Sequence, residues 1–231
     1  MAQKKTLITM PNLQKNLNSV LENISKASLE NSVDLVVVTK NQTVNLINQC
    51  ISLGVNQIGE NRVQEAENKF SQLFNAKIKK RMIGRLQSNK IKNATKIFDS
   101  IDSVSKIDHL KKINSNAELE KKSQNILLQI NITNDQNKDG FIPRMFLEKI
   151  EDIFGFNYVN IEGMMTIGRL GVSKKETSQD FKKMKNFYDQ INSQLPSNKK
   201  MGTLSMGMSQ DYQVAIQEGS TMVRVGGAIF G

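Results

Sequence analysis

Leu35-Val36-Val37-Val38-Thr39-Lys40 is an aliphatic run that ends on a lysine. A run that apolar reads as a strand buried on both faces, the kind found in parallel sheets covered by helices. Its lysine then leaves the carboxyl end of the strand, the rim at which parallel α/β folds place their chemistry. Lys40 is therefore the first candidate for a reactive amine; the competing reading is a strand-end lysine that extends its ammonium into water.

Outward from this strand, the pattern alternates. Upstream, Leu13, Leu17, Val20, Leu21 and Ile24 recur at helical spacing and predict an amphipathic helix over residues 11–30. Downstream, Thr43 can cap a helix through Val44, Ile47, Cys50 and Ile51 that Gly54 ends. A short strand over 56–59 follows, then a helix with Val63, Ala66, Phe70 and Leu73 on one face. A strand over 81–84, a helix through Ile91, Ala94 and Ile97, and a strand over 98–101 continue the series. Ser105 and Asp108 have the spacing of a capping box for a helix through Ile107, Leu110 and Ile113.

The second half repeats the alternation. Residues 126–130 read as a strand, and Pro143 suits the first turn of a helix carrying Phe146, Ile150 and Ile153. A strand over 161–167 precedes a long helix marked by Phe181, Met184, Phe187, Tyr188, Ile191 and Leu195. Strand 204–208, a helix over 209–218 closed by Gly219, and strand 222–225 complete the chain. Eight strands with seven intervening helices, plus an extra N-terminal helix free to fill the eighth position, predict a (β/α)₈ TIM barrel. No linker or composition shift divides it, so residues 1–231 read as a single domain.

Composition narrows the function classes. Lys and Arg total 32 against 22 Asp and Glu, a formal charge of +10, which raises the question of nucleic acid. The lysines are dispersed over predicted helix faces, tryptophan is absent and aromatics are 6%, so the stacking residues of a single-strand binder are scarce. The expectation is no nucleic-acid partner. No apolar run reaches membrane-spanning length and the first residues lack a signal-peptide core, so no membrane role and a cytoplasmic location are expected. The lone Cys50 falls in a helical pattern and reads as a small buried hydrophobe. Polar helix faces favour a monomer.

Two glycine-bearing loops fall after predicted strands seven and eight: Ser205-Met206-Gly207-Met208-Ser209 and Gly226-Gly227-Ala228-Ile229-Phe230-Gly231. That is where barrels of this type hold phosphate, with backbone N–H groups and a helix N-terminus. Glycine allows close approach of backbone to an anion, and Ser205 and Ser209 offer hydroxyls. Arg224, a guanidinium inside a four-residue apolar strand, must point to the barrel mouth and meet either a ligand or a carboxylate such as Glu60. A strand-end lysine, a phosphate cradle and an arginine between them fit pyridoxal 5'-phosphate (PLP), whose aldehyde takes an amine, whose phosphate needs an anion site and whose pyridine nitrogen needs a partner.

Five motifs in order then resemble one family. They are Val37-Val38-Thr39-Lys40, Gly59-Glu60-Asn61-Arg62-Val63-Gln64-Glu65, Ile83-Gly84-Arg85-Leu86-Gln87-Ser88-Asn89-Lys90, Leu204-Ser205-Met206-Gly207-Met208-Ser209 and Gly219-Ser220-Thr221-Met222-Val223-Arg224-Val225-Gly226. Together they resemble the pyridoxal phosphate homeostasis protein family. The resemblance implies a barrel similar to the N-terminal domain of alanine racemase, binding PLP without an established reaction. It implies Lys40 as the Schiff-base lysine, Arg224 as partner of the pyridine nitrogen, Ser205, Gly226 and Gly227 as phosphate contacts, and Asn61 as a neighbour of the ring. Arg81-Met82 and Arg85 depart from the family's usual residues, and Gly227 stands where a hydroxyl residue is common.

An arginine at the pyridine nitrogen disfavours its protonation and weakens the ring as an electron sink, which suits a carrier that delivers PLP to apo-enzymes or salvage enzymes. The alternative is a weak PLP-dependent racemase or lyase, which needs a second acid/base. Of Tyr158, Tyr188 and Tyr212, only Tyr212 is expected near the rim, and packing is its expected role. A phosphosugar isomerase barrel would use the phosphate loops but leave Lys40 and Arg224 without a task. His109 reads as a surface residue, and Lys90 and Lys138, each shortly after a strand, as solvated lysines or secondary amines for the aldehyde.

Overall fold

The computed structural model describes residues 9–28, 32–74 and 77–231. Helix α1 (Met10–Ser28) precedes strand β1 (Asp34–Val38), and α2 (Val44–Ser52), β2 (Gln57–Glu60), α3 (Val63–Phe70), β3 (Lys79–Met82), α4 (Ile91–Ile97) and β4 (Ser100–Val104) follow. The second half runs α5 (Ile107–Leu119), β5 (Gln124–Gln129), α6 (Pro143–Leu147), α7 (Ile150–Phe154), β6 (Val159–Met165), α8 (Lys174–Gln194), β7 (Thr203–Met208), α9 (Tyr212–Gln217), β8 (Met222–Val225) and α10 (Gly227–Phe230). The eight strands pair in parallel in chain order, and β1 closes on β8 with Val36 opposite Arg224 and Val37 opposite Val225. The predicted (β/α)₈ TIM barrel is the observed fold. Its carboxyl-end rim gathers Lys40, Asn61, Gly84 and the turns after β7 and β8.

The barrel interior is known from contacts between strands that are not neighbours. Val36 of β1, Leu127 of β5, Met165 of β6 and Met222 of β8 form one buried cluster, which is possible only across the lumen. Beside it lies a polar layer: Arg81 of β3 donates to Gln57 of β2 at 2.8 Å and to Asp102 of β4 at 3.1 Å. Arg81 and Asp102 are both buried, so each satisfies a charge that the core would otherwise penalise by several kcal/mol, on the order of 3–5 for a broken pair.

Helix α1 takes the eighth helical position, packed on α9 and α10. Leu13, Leu17, Val20 and Ile24 are buried against β1, β8, α9 and α10, while Leu21, which shares the apolar spacing, stays 45% exposed. Asn16 fixes the join by donating to the carbonyl of Ile229 at 3.0 Å. The far end of the predicted helix, Glu30, lies outside the described residues. Thr43 caps α2 as its spacing predicts, its hydroxyl accepting from the Leu46 N–H, and Gly54 follows at φ +92, where a side chain is strained.

Three local expectations are corrected. The Ser105–Asp108 capping box does not form: α5 starts at Ile107 behind an extended Lys106 and has no side-chain cap, so the helix begins too late for Ser105 to reach it. The helix expected through Phe146, Ile150 and Ile153 breaks in two at Lys149 (φ −128, ψ 20). The break lets Phe154 meet Phe146 edge-on, with ring centroids 6.5 Å apart, while Phe146 also touches Phe141 and Phe187. After β7 the helix starts at Tyr212 rather than just past Ser209, because the Asp211 side chain accepts from the Met208 N–H at 2.6 Å and turns the chain first.

Candidate functional site

Strand β1 delivers Lys40 to the rim, where it borders a cavity of about 330 Å³ that Val38, Asn61, Gly84, Gln129, Lys138, Met208 and Arg224 also line. That volume is at the small end of cavities that hold small molecules, roughly 300–1,000 Å³. Lys40 is exposed and makes no hydrogen bond or ion pair among the described residues, so its amine is free for a ligand. Asn61 is half-buried at the end of β2, and Gly84 is what lets the β3 loop close on it: a Cβ at Gly84 would lie 2.3 Å from the Asn61 carbonyl oxygen.

Arg224 enters the cavity from β8 almost fully buried. It donates through Nη1 to the Ser205 hydroxyl at 2.7 Å and through Nη2 to the Thr166 carbonyl at 2.8 Å. No carboxylate pairs with it among the described residues, and burial lowers its pKa to about 10 despite the opposing pull of Asp102 and Asp211. The expected alternative partner, Glu60, lies elsewhere: it accepts from Lys69 at 2.9 Å and from the Thr39 hydroxyl at 2.6 Å, and burial pushes its carboxyl above the usual range. Glu60 points out of the barrel toward α3, because Gly59 before it faces inward against Val36 and Ile83.

Next to Arg224 the turns after β7 and β8 meet. The Ser209 hydroxyl accepts from the N–H groups of Gly226 and Ala228, both at 3.3 Å. These are long bonds to convergent donors, with Gly227 exposed between them. A Cβ at Gly227 would touch nothing closer than the Ser209 hydroxyl at 3.7 Å, so the turn is open to an anion. Ser205 is placed differently: it is fully buried in β7, with its hydroxyl committed to Arg224. An amine, an unpaired guanidinium and a backbone anion cradle around one mouth form the donor set that a phosphorylated aldehyde needs.

The profile of the alanine racemase N-terminal domain matches residues 8–231. The pyridoxal phosphate homeostasis protein of Haemophilus influenzae is 34% identical over 228 residues, covering 95% of each chain. The chain belongs to the pyridoxal phosphate homeostasis protein family. The family's protein from Synechocystis is 37% identical over 206 residues, covering 89% of this chain and 94% of its own. The solved structure of PipY from Synechococcus elongatus, with PLP bound, superposes with a TM-score of 0.85 at 30% identity and covers 95% of this chain and all of that one.

In this family member the remaining candidates separate. Lys138 borders the same cavity as Lys40, donates to the Gly168 carbonyl at 2.9 Å, and burial lowers its pKa. Lys90 lines a neighbouring cavity with Arg62 and Gln87 instead. Tyr212 is buried beneath α1 and packs, as expected. Cys50 is buried, and burial raises its thiol to about 12, far from a nucleophile's range. The lysine that spacing alone overlooks is Lys69, which is 8% exposed on α3. Its signal was its place three residues after Ala66, on the apolar face of the helix.

His109 corrects the surface reading: it is 3% exposed, with Nε2 3.2 Å from the Ser88 hydroxyl and Nδ1 buried without a partner among the described residues. Burial, reinforced by Lys106 and Lys112, lowers its pKa from 6.5 to about 4. The unfolded imidazole takes up a proton that the folded one refuses. Its contribution is therefore complete above pH 6.5 and is lost as pH falls toward 4, by about 1.4 kcal/mol per pH unit. Urea unfolding at pH 7 and pH 5 should show His109→Gln losing about 2 kcal/mol less than wild type between the two. Equal losses would mean that His109 is protonated in the folded protein.

Proposed function

We propose that this family member binds PLP at the barrel mouth as a Schiff base on Lys40, and that it takes part in PLP homeostasis by holding and delivering the cofactor without strong catalysis of its own. The observation that carries this reading is the convergence of Lys40 and Arg224 on one cavity beside the Ser209–Ala228 turn. PLP supplies an aldehyde that condenses with an amine and a ring that withdraws electrons. Lys40 provides the amine. Arg224 faces the pyridine nitrogen and disfavours its protonation, and Asn61 lies beside the ring. The N–H of Gly227 and the hydroxyl of Ser209 take the phosphate, with the Gly226 N–H either holding Ser209 in place or turning to the phosphate itself. Ser205 acts one step back, by holding Arg224.

The tyrosines favour a carrier over a racemase or lyase. Tyr158 precedes β6 at the opposite end of the barrel, Tyr188 donates its hydroxyl to the Met201 carbonyl at 2.5 Å, and Tyr212 is buried under α1. None is available as the second acid/base that such chemistry needs. PLP-dependent enzymes or salvage enzymes are the recipients this reading implies. We further propose a single-domain cytoplasmic protein, and a monomer because the exposed Phe74, Leu119 and Leu170 lie on separate segments of the chain. Sedimentation should give one species near 26.0 kDa.

The deciding experiment is the absorption spectrum with added PLP, followed by borohydride reduction and peptide mapping. A Schiff-base band with the label on Lys40 supports the reading, and a label scattered over surface lysines sinks it. Phosphate recognition has its own test in the preference for PLP over pyridoxal, which lacks the phosphate. Ser209→Ala should narrow that preference about tenfold, the worth of one charge-assisted hydrogen bond, while Ser205→Ala leaves it near wild type. The reverse ranking would return the phosphate to Ser205.

A further inference from the structure

The backbone on both sides of Lys40 is held by charged side chains of β2 and α3. Lys69, buried on α3, donates to the Thr39 carbonyl at 2.9 Å, to Glu60 at 2.9 Å and to Glu65 at 2.5 Å. An ammonium has three N–H donors, and here all three find acceptors. Glu60 also accepts from the Thr39 hydroxyl at 2.6 Å. Glu65 also accepts from the backbone N–H of Asn41 at 2.7 Å, and Asn41 is in the left-handed region at φ +60. That conformation is uncommon for a residue with a side chain and persists only where its surroundings enforce it.

We infer that Lys69, Glu65 and Glu60 are positioning residues for Lys40: they fix Thr39 and Asn41 so that the lysine between them projects from a rigid root toward the cavity. Lys40 itself makes no hydrogen bond or ion pair with any of them, so the clamp leaves its amine free while removing backbone freedom that Schiff-base formation would otherwise have to overcome. Ordering one residue costs on the order of 1–2 kcal/mol, so a pre-ordered root favours the bound state by about tenfold. None of the three lines the cavity that Lys40 borders. The inference rests on the proposed role of Lys40.

Lys69→Met would strand two carboxylates, one fully buried, and is open to simple misfolding. Glu65 is the better handle, because its side chain is 25% exposed. In cofactor-free protein, Glu65→Ala should speed amide hydrogen exchange at Asn41 at least tenfold. With PLP it should lower the Schiff-base fraction about tenfold at fixed concentration, while Glu65→Gln, whose amide oxygen still accepts from Asn41, restores both. Unchanged exchange at Asn41, or faster exchange with an unchanged Schiff-base fraction, overturns the clamp. Mapping the borohydride label in wild type separates the two claims. A label on Lys40 with wild-type binding in Glu65→Ala refutes only the clamp, whereas a label elsewhere refutes the role of Lys40 as well.

Discussion

Lys40→Ala should abolish the Schiff-base band outright and leave a protein that keeps no PLP through desalting. The side chain is exposed and bonds to nothing among the described residues, so truncation should change folding stability by no more than about 0.5 kcal/mol. That separation makes the result interpretable: binding vanishes while the thermal midpoint stays. On the proposed reading the covalent bond would be the one strong anchor, since the turn at Ser209, Gly226 and Ala228 offers neutral groups and Arg224 a single charge. Retention of a band by the variant would move the reactive amine elsewhere, with Lys138 first in line because it lines the same cavity.

Arg224→Met should move binding and stability in opposite directions. A guanidinium held at about 10 rather than 12.5 carries a burial penalty on the order of 3 kcal/mol in the cofactor-free protein. Methionine removes that penalty at nearly the same length, while the Thr166 carbonyl and the Ser205 hydroxyl each lose a donor, together about 2 kcal/mol. The net expectation is a cofactor-free variant about 1 kcal/mol more stable, a rise of roughly 2–4 °C in Tm for a chain of this size. Affinity for PLP should fall about 10- to 100-fold, the worth of a charged hydrogen bond, so added PLP at a fixed concentration raises the Tm of wild type more than that of the variant. A variant several kcal/mol less stable than wild type would make Arg224 a structural residue.

These expectations join at a cost the fold accepts for its site. The Arg81–Asp102 pair shows how the same barrel treats a buried cation when no ligand is involved: it provides a carboxylate at 3.1 Å. Arg224 receives only a carbonyl and a hydroxyl, which leaves its charge available at the mouth.

The alternation of aliphatic strands and amphipathic helices was legible in the chain itself, because continuous apolar runs and a period of 3.6 are local properties of consecutive residues. So were the strand-end position of Lys40, the N-cap at Thr43, the glycine turns after β7 and β8, and the helix at the front that fills the eighth position. What the sequence left open depended on which strands meet across the lumen. The partners of Arg224 come from the residue just after β6 and from β7, 58 and 19 residues away, and the alternative with Glu60 fails because Glu60 faces outward. The burial of His109, the break between α6 and α7, and the grip of Lys69 and Glu65 on the residues flanking Lys40 are of the same kind. Spacing fixes the face on which a side chain lies, and only closure of the barrel decides what stands opposite it.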